Sequence, residues 1–131
     1  MSKPDAVGGK DVSIGQFQSL IKTMYFDKDQ ARGIPATFLW LTEEIGELAS
    51  ALRETESAQE VAKESTDQKL TADFEAKHKN LCEEFADVFA WLATIANVAE
   101  VDLSKALFEK YGAGCPGCEQ FECSCPDETK P

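Results

Sequence analysis

Two short acidic motifs are the residues best suited to chemistry: Glu43-Glu44-Ile45-Gly46-Glu47 and Glu83-Glu84-Phe85-Ala86-Asp87. Carboxylates three residues apart on a helix lie on one face, about a turn from each other. Two such pairs meeting across a helix contact would gather hard oxygen donors around one point. That cluster repels itself unless a divalent cation neutralises it, and all-oxygen ligation favours Mg²⁺ or Mn²⁺ over zinc.

Helical geometry sharpens the choice of ligands. At about 100° per residue, Glu44 falls roughly 70° from the centre of its helix's apolar stripe, with Glu47 one step further round and Glu43 pointing mostly away. Glu84 lies about 60° from its own stripe, Asp87 follows, and Trp91 sits between them in angle. A single Glu-x-x-Glu pair is ordinarily a solvated helix face. Two pairs at matching offsets, each bordering a strong apolar stripe, favour Glu44, Glu47, Glu84 and Asp87 as metal ligands. Gly46 and Ala51 leave room beside them.

A second constellation is Cys115-x2-Cys118-x4-Cys123-x-Cys125, with Gly and Pro at its turns. Four thiolates in so short a segment can close a tetrahedral structural zinc site; free thiols and redox-labile disulfides are the alternatives. Other site chemistries are missing. The one histidine, His78, stands between Lys77 and Lys79 outside any Glu-x-x-His pairing, so a di-iron carboxylate site fits less well. Neither an EF-hand loop nor a Gly-x-x-x-x-Gly-Lys phosphate loop occurs.

The elements that must position these residues are helices. Residues 1–12 hold Pro4, Gly8 and Gly9 and read as a flexible arm. Ser13 and Gln16 match a capping box, and Phe17, Leu20, Ile21, Met24 and Tyr25 give a first helix of about three turns that stops near residues 27–29. A second helix begins around residues 35–37 with Phe38, Leu41, Ile45, Leu48 and Leu52 as its stripe. Residues 54–73 read as either a solvated linker or a weak exposed helix. A third helix over 74–99 carries Leu81, Phe85, Val88, Leu92 and Ile95. Asp102 caps a fourth, which ends near Tyr111, with Gly112 suited to the left-handed position that follows a helix. With no β signal, the fold class is all-α: a small four-helix bundle over 13–112 and a Cys-rich tail over 113–131. So many apolar positions on short helices exceed what one copy can bury, so a homo-oligomer is expected.

Composition bounds the partners. At 131 residues with a net charge of −11, the chain lacks the basic face that nucleic acid polymers require. No apolar run reaches the roughly 18 residues of a membrane span, and the N-terminus lacks a signal-peptide core, so a cytoplasmic location is expected.

The stretch Leu41-Thr42-Glu43-Glu44-Ile45-Gly46-Glu47-Leu48-Ala49 resembles the Glu-Glu-x-x-Glu motif of MazG-like nucleoside triphosphate pyrophosphohydrolases, and Glu84-Phe85-Ala86-Asp87 resembles their Glu-x-x-Asp motif. The likeness covers about residues 14–111. It implies an all-α fold assembled as a homodimer or dimer of dimers, and Mg²⁺-dependent hydrolysis of (deoxy)nucleoside triphosphates to monophosphate and pyrophosphate, in keeping with nucleotide-pool housecleaning. By position it makes Glu44, Glu47, Glu84 and Asp87 the metal ligands and gives Glu43 an outer-shell role or a hold on the attacking water. Trp91 and Trp40 become candidates to stack a base, each with core packing as its alternative. Lys110 and Tyr111 become candidates to reach phosphates, with an ordinary C-terminal helix charge as the alternative for Lys110, and Lys28 and Arg32 are weaker candidates. Phosphoribosyl-ATP pyrophosphatase is a related alternative, and a non-catalytic zinc-binding helical adaptor is one from another class.

Overall fold

The computed structural model describes residues 11–126, and within them every regular element is a helix. In chain order these are α1 (Ile14–Arg32), α2 (Ile34–Lys63), α3 (Gln68–Val98) and α4 (Leu103–Tyr111). Most of the arm expected over 1–12 lies outside the described residues. No helix among the described residues is long and apolar enough to cross a membrane.

Local chemistry sets the boundaries. The Ser13 hydroxyl accepts from the Gln16 amide at 3.1 Å and the Gln16 side chain accepts from the Ser13 amide at 3.0 Å, completing the expected capping box. Asp67 caps α3 by accepting from the Lys69 amide, and Asp102 caps α4 by accepting from the Lys105 amide. Each such cap is worth about 1 kcal/mol.

α1 runs on past the expected stop at 27–29, because Asp29 does not face water. Its carboxylate is buried and accepts from Arg32 Nη1 at 3.0 Å, which carries the helix one more turn. Gly33, at φ 80, then ends α1 and begins α2 in a single residue. Gly112 also departs from expectation. It is right-handed at φ −61, its amide still bonded to Phe108 O, and the left-handed turn falls two residues later at Gly114, φ 107. The segment 54–73 is helical over 54–63 and 68–73, with a short turn between. Thr55 and Ala58 are buried there, and the Thr55 hydroxyl donates to Lys77 O at 3.2 Å.

α2 and α3 form a long antiparallel hairpin, Trp40 meeting Trp91 near one end and Thr55 meeting Lys77 toward the other. On α2 the less exposed positions include Thr37, Leu41, Glu44, Leu48, Ala51, Thr55, Ala58 and Ala62, which alternate by four and three. On α3 the same alternation runs through Leu70, Phe74, Lys77, Leu81, Glu84, Val88, Trp91, Ile95 and Val98. This is the seam of a two-helix coiled coil, narrow because Ala and Thr fill much of it. Glu44 and Glu84 occupy seam positions.

α1 packs mainly on α3, and α4 packs on α1. Gln18 of α1 donates to Val101 O, accepts from the Leu103 amide, and lends its own carbonyl to Asn97 Nδ2, so one residue ties α1 to the α3–α4 turn. Several stripe residues expected in the core lie outside it. Phe38, Ile45 and Leu52 on α2, with Phe85 and Leu92 on α3, remain 41% to 57% exposed. The hairpin therefore has a second apolar face that a single chain leaves uncovered.

Candidate metal centre and adjoining concavities

The hairpin seam carries Glu44 and Glu84 inward, and one helical turn places Glu47 beside them. Carboxylate oxygens of Glu44, Glu47 and Glu84 lie within 4.8 Å of one another. Among the described residues, neither Glu44 Oε2 nor Glu84 Oε2, both buried, has a hydrogen-bond partner. Buried acceptors are almost always satisfied in folded proteins, and a proton, an ordered water or a bound cation would satisfy the two in this cluster.

The electrostatics agree. The Glu44 carboxyl is pushed above its usual value first by burial and then by Glu47 and Asp87; a hydrogen bond from the Trp91 side chain opposes the shift. Glu84 is pushed up likewise by burial, then by Glu47 and Asp87. Either a proton or a cation relieves such a cluster. The donor set suits magnesium: at Mg–O distances near 2.1 Å, octahedral oxygens stand about 3 Å apart when adjacent and about 4.2 Å when opposite. Small side-chain adjustments bring donors within 4.8 Å of one another to that spacing.

Asp87 acts on the cluster through its charge and is not one of its three closely grouped members. It faces a concavity of about 360 Å³ between α1 and α3, lined also by Tyr25, Lys28, Asp29, Arg32, Trp91 and Thr94. On the outer side of the hairpin, Glu43, Glu47 and Glu84 line an open depression of about 460 Å³ with Gly46, Glu54 and Asn80. Glu47 and Glu84 thus open onto an acidic depression, while Asp87 lines a concavity of mixed charge that holds Lys28, Asp29 and Arg32.

Trp91 couples several of these groups. Its ring stacks on Trp40, with centroids 5.8 Å apart and planes 11° from parallel, and the Arg32 guanidinium lies 5.0 Å from the ring centroid. The Trp91 ring thus already has aromatic and cationic neighbours. Lys110 and Tyr111 sit together at the end of α4, 5.5 Å from ammonium to ring, and line neither concavity. Asp29, Glu54 and Asn80 were not singled out from sequence. The signal for Asp29 was the Asp-x-x-Arg spacing to Arg32, which resembles an ordinary exposed ion pair.

In the tail, the Sγ atoms of Cys115, Cys118, Cys123 and Cys125 also lie within 4.8 Å of one another. Backbone amides of Ser124 and Gln120 lower the Cys118 thiol to about 6, while hydrogen bonds with Cys123 and Cys115 push Cys125 up to about 12.

Residues 33–118 match the family model described as the MazG nucleotide pyrophosphohydrolase domain. The match covers well over half of the chain and contains both acidic motifs; α1 and the last two tail cysteines lie outside it. No curated protein matches the chain.

Proposed function

Because the chain belongs to the MazG nucleotide pyrophosphohydrolase family, we propose that it hydrolyses (deoxy)nucleoside triphosphates to the monophosphate and pyrophosphate with Mg²⁺, clearing or balancing a nucleotide pool in the cytoplasm. The observation that carries this reading is the pair of orphaned, buried carboxylate oxygens of Glu44 and Glu84 within the acidic cluster.

Glu44, Glu47 and Glu84 would hold magnesium, with Asp87 completing the charge around it. Bound there, magnesium supplies positive charge to the phosphate oxygens and makes a water more acidic. The protein residues supply position and proton transfer. Glu43, on the rim beside Glu47, accepts the proton as the water oxygen bonds to the α-phosphorus. The bond from that phosphorus to the bridging oxygen breaks, and pyrophosphate departs. Lys28 and Arg32 place two positive charges in the α1–α3 concavity beside Asp29 and Asp87, and there they would meet the oxygens of an anionic substrate. Trp91 keeps the Glu44 carboxylate aimed along the seam.

The working form in this proposal is a homodimer or a dimer of dimers. The uncovered face bearing Phe38, Ile45, Leu52, Phe85 and Leu92 is the kind of apolar surface that a second copy buries. Product analysis on a panel of canonical and modified nucleoside triphosphates, with phosphoribosyl-ATP alongside, tests the assignment. Equimolar monophosphate and pyrophosphate from a nucleoside triphosphate supports it, and orthophosphate release or no turnover on the whole panel refutes it.

A further inference from the structure

We propose that Cys115, Cys118, Cys123 and Cys125 bind one zinc ion in a closed tetrathiolate site that fastens the tail beyond α4. The sulfur spacing carries the assignment. A zinc ion with Zn–S bonds near 2.3 Å holds its four sulfurs about 3.8 Å apart along the tetrahedron edges. Here the Sγ atoms of Cys115 and Cys123 stand 3.4 Å apart, those of Cys115 and Cys125 stand 3.8 Å apart, and all four fall within 4.8 Å. Cys115 is shared by both short separations, so the sulfurs surround one point and do not divide into two pairs.

The backbone around the cluster is shaped for it. The Ser124 amide donates to Cys118 Sγ and the Cys125 amide donates to Cys123 Sγ, each at 3.4 Å. Such N–H donors are the outer partners that stabilise a metal-bound thiolate. Two left-handed residues, Gly114 at φ 107 and Glu119 at φ 57, fold the segment back on itself. For Glu119 that conformation costs about 1 kcal/mol or more. The Glu119 amide donates to Cys115 O at 2.7 Å and the Cys115 amide donates to Gln120 O at 2.9 Å, closing a small ring around the first two ligands. A Cβ on Gly117 would stand 2.9 Å from Cys125 Sγ, so glycine is what lets the two halves of the array meet.

The described residues of the tail, 112–126, contain neither helix nor strand, and Phe121 is 91% exposed, so that ring contributes little burial against the entropy of ordering the segment. A bound ion supplies that free energy directly. Four protein ligands leave no open coordination position, which makes the site structural. Soft thiolates in the tail and hard carboxylates in the hairpin then sort zinc from magnesium by donor type.

The test is metal quantification on the full chain, purified without chelator or a metal-binding tag. One zinc per chain is expected. Cys118→Ser and Cys125→Ser should each lose most of it, while Cys82→Ser, which changes the exposed thiol on α3, should retain it. Should the tail variants fold poorly, cobalt exchanged into the wild-type chain gives an independent readout: a tetrahedral tetrathiolate shows an intense thiolate-to-cobalt charge-transfer band, which carboxylates do not produce. Metal-free protein with freely reactive tail thiols, tail disulfides found by mass spectrometry, bound iron in place of zinc, or full zinc in the Cys118→Ser/Cys125→Ser double variant would each overturn the proposal.

Discussion

Glu44 and Glu84 face one another across the α2–α3 seam, each with a buried carboxylate oxygen that no donor among the described residues satisfies. Coiled-coil seams are normally apolar, so two acids at seam positions cost stability unless a cation joins them. Metal-free protein should therefore be less stable than its Glu44→Gln or Glu84→Gln variant. Magnesium at a hundred times its dissociation constant should stabilise the wild type by about 2.7 kcal/mol and leave the variants almost unchanged. Thermal melts in chelator and in magnesium read both effects.

The same pair gives a pH dependence. In the metal-free fold both carboxyls are raised above their usual 4.5, by burial first and neighbouring acids second. A carboxyl with a raised folded pKa binds its proton more tightly in the native state. Its stabilising contribution is complete below pH 4.5 and is lost as pH rises through the folded value. In chelator, the Glu44→Gln/Glu84→Gln variant should exceed the wild type in stability at neutral pH, with the gap closing toward pH 4.5. Denaturant titrations at several pH values measure that gap, and magnesium should reverse its sign.

Asp29 and Arg32 form the second buried feature. The Asp29 side chain is 4% exposed with Oδ2 unpartnered, while Arg32, at 27%, keeps partial contact with water. Arg32→Ala leaves a buried carboxylate without its cation and should cost about 1–3 kcal/mol in chemical denaturation. If the α1–α3 concavity receives substrate, the milder Arg32→Lys should raise KM more than it lowers kcat, because lysine keeps the charge but loses the planar fork over Trp91.

The uncovered hairpin face predicts association. Ile45→Glu and Leu92→Glu alter residues that are 50% and 41% exposed in the single chain, so a monomer would tolerate them. In an oligomer each places a charge in the interface, and sedimentation velocity should show dissociation at micromolar concentration. A wild-type chain that sediments as a monomer refutes the proposed assembly.

Much of this was legible in the sequence, and the gaps have physical causes. The caps at Ser13 and Asp102 and the two acidic motifs are local signals, so they could be read directly. On α2 the expected stripe keeps Leu41 and Leu48 in the seam, but Phe38, Ile45 and Leu52, which look like core because they are apolar, give way to their neighbours Thr37, Glu44 and Ala51. Hydrophobic periodicity does not distinguish a face buried within the chain from one left for another copy. The segment 54–73 was ambiguous because its helix is held by small buried residues, Thr55 and Ala58, with little apolar contrast. Asp29 escaped notice because its burial depends on how α1 lies against α3, a tertiary fact with no local signature.

Calorimetric titration of Mg²⁺ into the wild-type chain and its Glu44→Gln and Glu84→Gln variants tests the central claim most directly. Saturable binding to the wild type, lost or weakened at least tenfold in both variants while their circular dichroism stays helical, is the predicted result. Equal binding by all three proteins, or none by the wild type with or without a non-hydrolysable triphosphate, would contradict it.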